Sequence, residues 1–174
     1  MERHYWLISD THFNHSKLDE WGGRTGNWQT SLWTGIAAIP AGDTLIHLGD
    51  ICIGNDAEVH KTWVENTLHL QTVLVRGNHD KKSVNWYVEN GFDFVCDQIG
   101  LVFHGVDLLL SHRPMPPDTW RWRYNIHGHT HGNMHRAEEY QAWYDAKNFH
   151  IDISPEIVGY QPLRLDTLMK RYKL

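Results

Sequence analysis

Three short, mostly apolar runs, at residues 5–9, 44–48 and 71–75, each end abruptly in a polar block: Asp10-Thr11-His12, Gly49-Asp50 and Gly77-Asn78-His79-Asp80. Runs of this length bounded by turn residues read as buried strands. Between the first two, Trp28, Leu32, Trp33, Ile36 and Ile39 fall on one helical stripe that Pro40 and Gly42 stop, after a loop holding Gly22, Gly23 and Gly26. Between the second and third, Asp56 is placed to cap a helix whose apolar face carries Val59, Trp63, Val64 and Leu68. A short helix from Val84 to Asn90, stopped by Gly91, follows the third run. Strand and helix alternate, so the first half must form an α/β layer. In open α/β sheets, ligands bind in the crevice at the carboxyl ends of the strands, and the polar blocks gather there.

The second half is richer in β segments: residues 94–96, 101–103 and 106–110, with His104-Gly105 as a turn, then Ser111-His112-Arg113-Pro114. Pro114, Pro116 and Pro117 make a rigid loop, residues 120–126 lead into a histidine cluster, and residues 149–153 form another strand. Asp166 is expected to cap a terminal helix with Leu168, Met169 and Tyr172 inward. Two sheets or one mixed sheet result. No linker interrupts the 174 residues, so residues 1–174 are expected to form one domain large enough for a real core. No apolar run approaches the roughly 20 residues of a membrane span, and the start lacks a signal-peptide core. A cytoplasmic protein without membrane contact is expected. Cys52 and Cys96 show neither a disulfide framework nor a thiolate metal pattern.

Fourteen histidines are the compositional anomaly. Three stand within five residues, His127-Gly128-His129-Thr130-His131. Such a cluster is costly to desolvate unless something binds the nitrogens, and imidazole is a common ligand for transition metals. In an extended segment His129 and His131 project to one side and Thr130 to the other. With the blocks above, the candidate ligands are Asp10, His12, Asp50, Asn78, His112, His129 and His131. Seven ligands suit two divalent ions, and Asp50, alone after its strand, is a natural bridge. Oxygen and nitrogen donors without thiolate fit manganese, iron, nickel or zinc better than calcium. His127 is read as core or as support for the ligands. Histidines 4, 47, 60, 69, 104, 135 and 150 are read as ordinary structural or surface residues.

The blocks Asp10-x-His12, Gly49-Asp50, Gly77-Asn78-His79-Asp80, His112 and Gly128-His129-x-His131 closely resemble the calcineurin-like metallophosphoesterases, in family order across nearly the whole chain. The local runs are most similar to compact bacterial and phage-type phosphoesterases. The resemblance implies a four-layer α/β/β/α sandwich, two facing mixed sheets flanked by helices, around a dinuclear site. It implies Asp10, His12 and His131 on one metal, Asn78, His112 and His129 on the other, and Asp50 between them, with manganese favoured. A hydroxide bridging the ions would attack phosphorus. His79 is the implied general acid, with Asp80 placed to orient its imidazole and favour its protonated form.

His15 and Arg113 are candidates for contacting the substrate phosphate. The alternation Trp120-Arg121-Trp122-Arg123-Tyr124 reads as a strand with Arg outward and Trp packed, in preference to a base-stacking platform. Two divalent ions, two aspartates and one hydroxide leave about one positive charge, which matches a diester monoanion. Phosphodiesters are therefore expected over monoesters. A small phosphate ester or nucleotide is the expected substrate, and the net charge of -5 disfavours an extended nucleic acid. A phosphomonoesterase is the alternative. A non-catalytic binding module of the same fold is disfavoured, because every block is filled.

Overall fold

The computed structural model describes residues 3–15, 17–18, 23–24, 26–117, 121–133 and 138–174. Strands β1 (Tyr5–Ile8), β2 (Thr44–His47), β3 (Gln71–Val75) and β4 (Phe94–Cys96) run parallel in the spatial order β4-β3-β2-β1, and β9 (Leu163–Arg164) joins antiparallel beside β1. Parallel neighbours need crossovers, supplied here by α1 (Trp28–Ala37), α2 (Asp56–Thr67) and α3 (Val84–Glu89). β2 is buried along its whole length, as expected for a strand covered on both faces. On the helical side, Ile8, Leu45 and Leu74 pack with Leu32, Ile36, Trp63 and Phe92.

The second sheet runs β5 (Gln98–Phe103), β6 (Val106–Ser111), β7 (Tyr124–His127), β8 (His150–Asp152). β5 and β6 are an antiparallel hairpin; β6, β7 and β8 are parallel. Leu108, Leu110, Ile126 and Ile151 on its inner face meet Leu7, Ile46, Leu48 and Val75 of the first sheet. A helix, α5 (Leu165–Tyr172), adds Leu165, Leu168 and Met169 to that core, and a single turn, α4 (Pro155–Val158), follows β8. This is a mixed α/β fold of two mixed sheets flanked by helices. On the outer face of the second sheet, Tyr144 stacks on His150 at 4.4 Å and its hydroxyl lies 3.0 Å from His127 Nε2. No helix among the described residues is long and apolar enough to cross a membrane.

Several boundaries differ from the sequence reading. Asn55, left-handed at φ +51°, precedes α2, so Asp56 is its first residue and not its cap. The helix ends at Thr67, which leaves Leu68 79% exposed although it continues the apolar spacing. The terminal helix is preceded by Arg164, whose Nε donates to the Asp166 carboxylate at 2.9 Å; Asp166 caps nothing, and Tyr172 faces solvent. β5 begins at Gln98, three residues before the expected start. Residues 121–123 precede β7 and are not strand, although Trp122 packs on Gly100 while Arg121 and Arg123 are exposed. Trp120, Gly22 and His135 lie outside the described residues.

Candidate active site and metal centre

The loops after β1 and β2 are laced together by their backbones. Asp10 N–H donates to Gly49 O at 2.9 Å, His12 N–H to Asp50 O at 3.0 Å, and Phe13 N–H to Ile51 O at 2.8 Å. His47 adds a side-chain tie. Its Nδ1 accepts from Gly49 N–H at 3.0 Å, so Nε2 carries the proton and donates to Thr11 Oγ1 at 2.9 Å. His47, which nothing in the sequence sets apart from a structural histidine, thus pins both ligand loops.

Asp10, His12, Asp50, His129 and His131 all take left-handed φ values, of 47°, 45°, 59°, 68° and 53°. Each such residue costs about 1–3 kcal/mol, and such strain clusters at functional sites. The expectation that His129 and His131 project together from an extended strand is thereby corrected. β7 stops at His127, and the two rings turn to different groups of side chains. Close approach also requires glycine. A Cβ on Gly128 would collide with Asp10 Oδ2, and one on Gly77 with Asp50 Oδ1.

Two clusters of potential ligands result, Asp10/His12/His131 and Asp50/His112/His129. In the first, His12 Nε2 and His131 Nε2 lie 3.8 and 3.7 Å from Asp10 Oδ1. In the second, His112 Nε2 lies 3.3 Å from Asp50 Oδ2, 3.2 Å from His129 Nδ1 and 3.0 Å from Asn78 Oδ1. Asp50 Oδ2 is also 3.7 Å from His12 Nε2, so one carboxylate oxygen faces both clusters. All seven expected ligand residues therefore converge. Asp10 divides its labour: Oδ2 accepts from the Ser9 hydroxyl and from His129 N–H, whereas Oδ1 is buried without a hydrogen-bond partner. An orphaned buried carboxylate oxygen facing two imidazole nitrogens is what a cation would satisfy. Each cluster, of oxygen and nitrogen donors without thiolate, fits a divalent metal ion.

The electrostatics follow from burial and from the two carboxylates. Burial holds His12 down to about 2, against the charge of Asp50, and burial with the neighbouring His112 holds His129 down to about 4. His112 goes the other way. Despite burial, its hydrogen bond to Asp50 and the charges of Asp10 and Asp50 push it up to about 9. Burial alone would raise Asp50, yet the hydrogen bond and charge of His112 hold its carboxyl well below the usual carboxylate range.

Two residues that the sequence reading missed stand behind the first cluster. Arg24, fully buried, donates to Asp10 O at 2.8 Å, to Thr11 O at 3.1 Å and to Glu156 Oε1 at 2.7 Å. Glu156 Oε1 lies 3.1 Å from His131 Nδ1. Burial would raise the Glu156 carboxyl, but its hydrogen bonds with His131 and Arg24 bring it to about 2. The contact spans 132 positions and leaves no local pattern to read. Behind the second cluster, His112 Nδ1 meets Leu48 O at 2.8 Å.

The remaining candidates sit around a cavity of about 400 Å³. His79 is at its mouth with its side chain 47% exposed; its N–H donates to Asp50 Oδ1 at 2.8 Å and its Nε2 is 4.0 Å from Asp50 Oδ2. Asp80 does not orient that ring. Its oxygens instead accept the backbone N–H groups of Gly77 at 2.7 Å, Asp50 at 2.8 Å and Ile51 at 3.1 Å, clamping the ligand loops. His15 lines the cavity with its ring centroid 6.0 Å from that of His12. Arg113 lies on the rim, 3.8 Å from Glu139 Oε1, which is also 3.7 Å from His129 Nε2.

The same architecture recurs in solved structures. A protein of unknown function from Aquifex aeolicus superposes with a TM-score of 0.77 at 24% identity, covering 98% of this chain and 100% of that one. The nuclease MPE of Pseudomonas putida gives a TM-score of 0.50 at 22% identity over 74% of this chain and 62% of its own. At these identities the likeness shows the fold alone. An uncharacterized protein of Methanocaldococcus jannaschii is 27% identical over 176 residues, which is 97% of this chain and 90% of the relative. Residues 4–144 match the calcineurin-like phosphoesterase superfamily domain, a span holding every residue of the two clusters and Asn78. The chain belongs to the calcineurin-like phosphoesterase superfamily.

Proposed function

We propose that the protein is a metal-dependent phosphohydrolase that cleaves phosphate esters, phosphodiesters in preference to monoesters, with His79 as the general acid. The observation that carries this reading is the single Asp50 oxygen facing both ligand clusters. Asp10, His12 and His131 would hold one divalent ion, Asn78, His112 and His129 the second, and Asp50 both, with manganese favoured over iron, nickel and zinc. Such a pair supplies Lewis acidity and a nucleophile at neutral pH. The chain's own part is to position and to move a proton. The backbone clamp by Asp80 holds Gly77 and Asp50 in register, so that His79 follows Asn78 directly into the cavity mouth. Its exposed ring can reach a leaving oxygen and return to solvent for a new proton. The two sheets, sharing one core, act as a single domain.

Diester preference rests on charge. Arg113 is the one arginine lining the cavity among the described residues, and Glu139 beside it offsets its charge. Apart from the proton that His79 passes to the leaving oxygen, no surplus cation then remains for the second negative charge of a monoester. The test is kcat/KM on matched nitrophenyl mono- and diesters, with stripped and manganese-reloaded protein, in wild type and Arg113→Ala. A diester preference that survives Arg113→Ala, and vanishes on chelation, is expected. A monoester preference that collapses in Arg113→Ala would overturn the charge argument.

A further inference from the structure

The phosphoesterase reading uses neither Arg24 nor Glu156, yet both are turned toward the site from distant parts of the chain. Arg24 is fully buried, its guanidinium lying 4.8 Å from the Trp28 ring and 5.8 Å from that of Tyr160. A buried cation needs a partner, and this one has Glu156 at 2.7 Å. The same Oε1 of Glu156 reaches His131 Nδ1.

Two groups compete for that Nδ1. Arg24 Nη2, which can only donate, lies 3.4 Å away; Glu156 Oε1, which when ionised can only accept, lies 3.1 Å away. The shorter, charge-assisted contact wins, so Nδ1 carries the proton and donates it to Glu156. His131 Nε2 is then left with its lone pair, and it is Nε2 that faces Asp10 Oδ1 at 3.7 Å. Arg24 serves both ends of the arrangement. It fixes the Glu156 oxygen, and through the Asp10 and Thr11 carbonyls it holds the left-handed loop that presents Asp10 and His12. Among the described residues no buried ion pair stands behind the other cluster, where a backbone carbonyl backs His112 and a half-exposed glutamate at 3.7 Å faces His129.

We infer that Glu156, held by Arg24, is a positioning residue that fixes the tautomer of His131 and thereby sets the affinity of the Asp10/His12/His131 cluster for its divalent ion, leaving the other cluster unaffected. The inference rests on the two-ion reading above. Partners one shell behind a metal ligand change affinity by about 10- to 100-fold, and an effect of that size confined to one of two ions is the expected signature.

Manganese titrated into stripped wild type, Glu156→Gln and Glu156→Ala, followed by calorimetry, provides the first readout. Imidazole proton–nitrogen correlation spectra of the same metal-free proteins provide the second. Wild type should bind two ions, with His131 protonated on Nδ1. Glu156→Gln keeps an acceptor oxygen, so it should retain that tautomer and lose about 10-fold in one of the two affinities. Glu156→Ala should lose up to about 100-fold at the same step and release the tautomer. Two ions bound with wild-type affinities in both variants would overturn the inference and leave the phosphoesterase reading standing. Equal weakening of both ions in Glu156→Gln would also overturn it. A wild type that takes up no ion would instead overturn the two-ion reading on which it depends.

Discussion

Behind the Asp10/His12/His131 half of the site an ion pair brought from residues 24 and 156 touches a ligand ring itself, whereas behind the Asp50/His112/His129 half the ring of His112 meets the Leu48 carbonyl and the Asp80 carboxylate acts on the loop backbone, gathering the N–H groups of residues 77, 50 and 51. The first arrangement depends on particular charges, and a single substitution can undo it. The second depends on loop conformation, which glycine at 77 permits because any Cβ there would meet the Asp50 carboxylate. Asp50 belongs to both halves, since its Oδ2 faces His12 as well as His112. A change there should erase the difference between halves, and changes elsewhere should reveal it.

Asp50→Asn is therefore the largest perturbation. It removes the shared charge, and both ions and turnover should be lost together, by more than the roughly 100-fold that marks the loss of a supporting partner alone. Elemental analysis beside the rate measurement checks this. Retention of one full-occupancy ion would mean that Asp50 serves a single half. His79→Ala comes next. It should slow turnover by about 10²- to 10⁴-fold, the usual range for proton transfer, with both ions still bound. The deficit should shrink for nitrophenolate leaving groups, which scarcely need a proton. Loss of metal in this variant would make His79 a ligand.

A pH series separates the halves without mutation. In the metal-free protein His112 is raised from 6.5 to about 9 by Asp50 and Asp10, so its favourable pairing is complete below pH 6.5 and is lost as pH rises through about 9. An ion at the Asp50 half must displace that proton. Its affinity should rise about 10-fold per pH unit and level off near pH 9. His12, held near 2, has no proton to give over this range. Proton release measured by calorimetry in buffers of different ionisation heat tests this; no release between pH 7 and 8 would contradict it. The smallest effect is expected from Arg113→Ala. Its charge is already offset by Glu139, so diester turnover should change by less than about 3-fold, in line with the modest worth of exposed pairs.

What the sequence discloses cuts across that division. Asp10, His12, Asp50, Asn78 and His112 were legible because each follows an apolar run, and strand ends are where an α/β sheet gathers polar groups. His129 and His131 stand out by the density of imidazoles around them, whereas the added argument of a shared strand face fails: their rings diverge in left-handed turns, and φ at a histidine leaves no mark on the sequence. Arg24 and Glu156 were invisible, since a buried ion pair 132 positions apart has no periodicity. Asp80 stands beside His79 in the sequence but binds backbone N–H groups instead, because adjacency in sequence says little about which groups a carboxylate meets. Leu68 shows the limit of apolar spacing: it continues the stripe of α2 one residue past the helix end and faces solvent.

The proposed function requires two ions, one in each half, with Asp50 between them. Anomalous diffraction from crystals equilibrated with manganese, collected on both sides of the absorption edge, tests it most directly. Two peaks are predicted, one among Asp10, His12 and His131 and one among Asn78, His112 and His129, both within bonding distance of Asp50. A single peak, or peaks away from these side chains, would contradict the account.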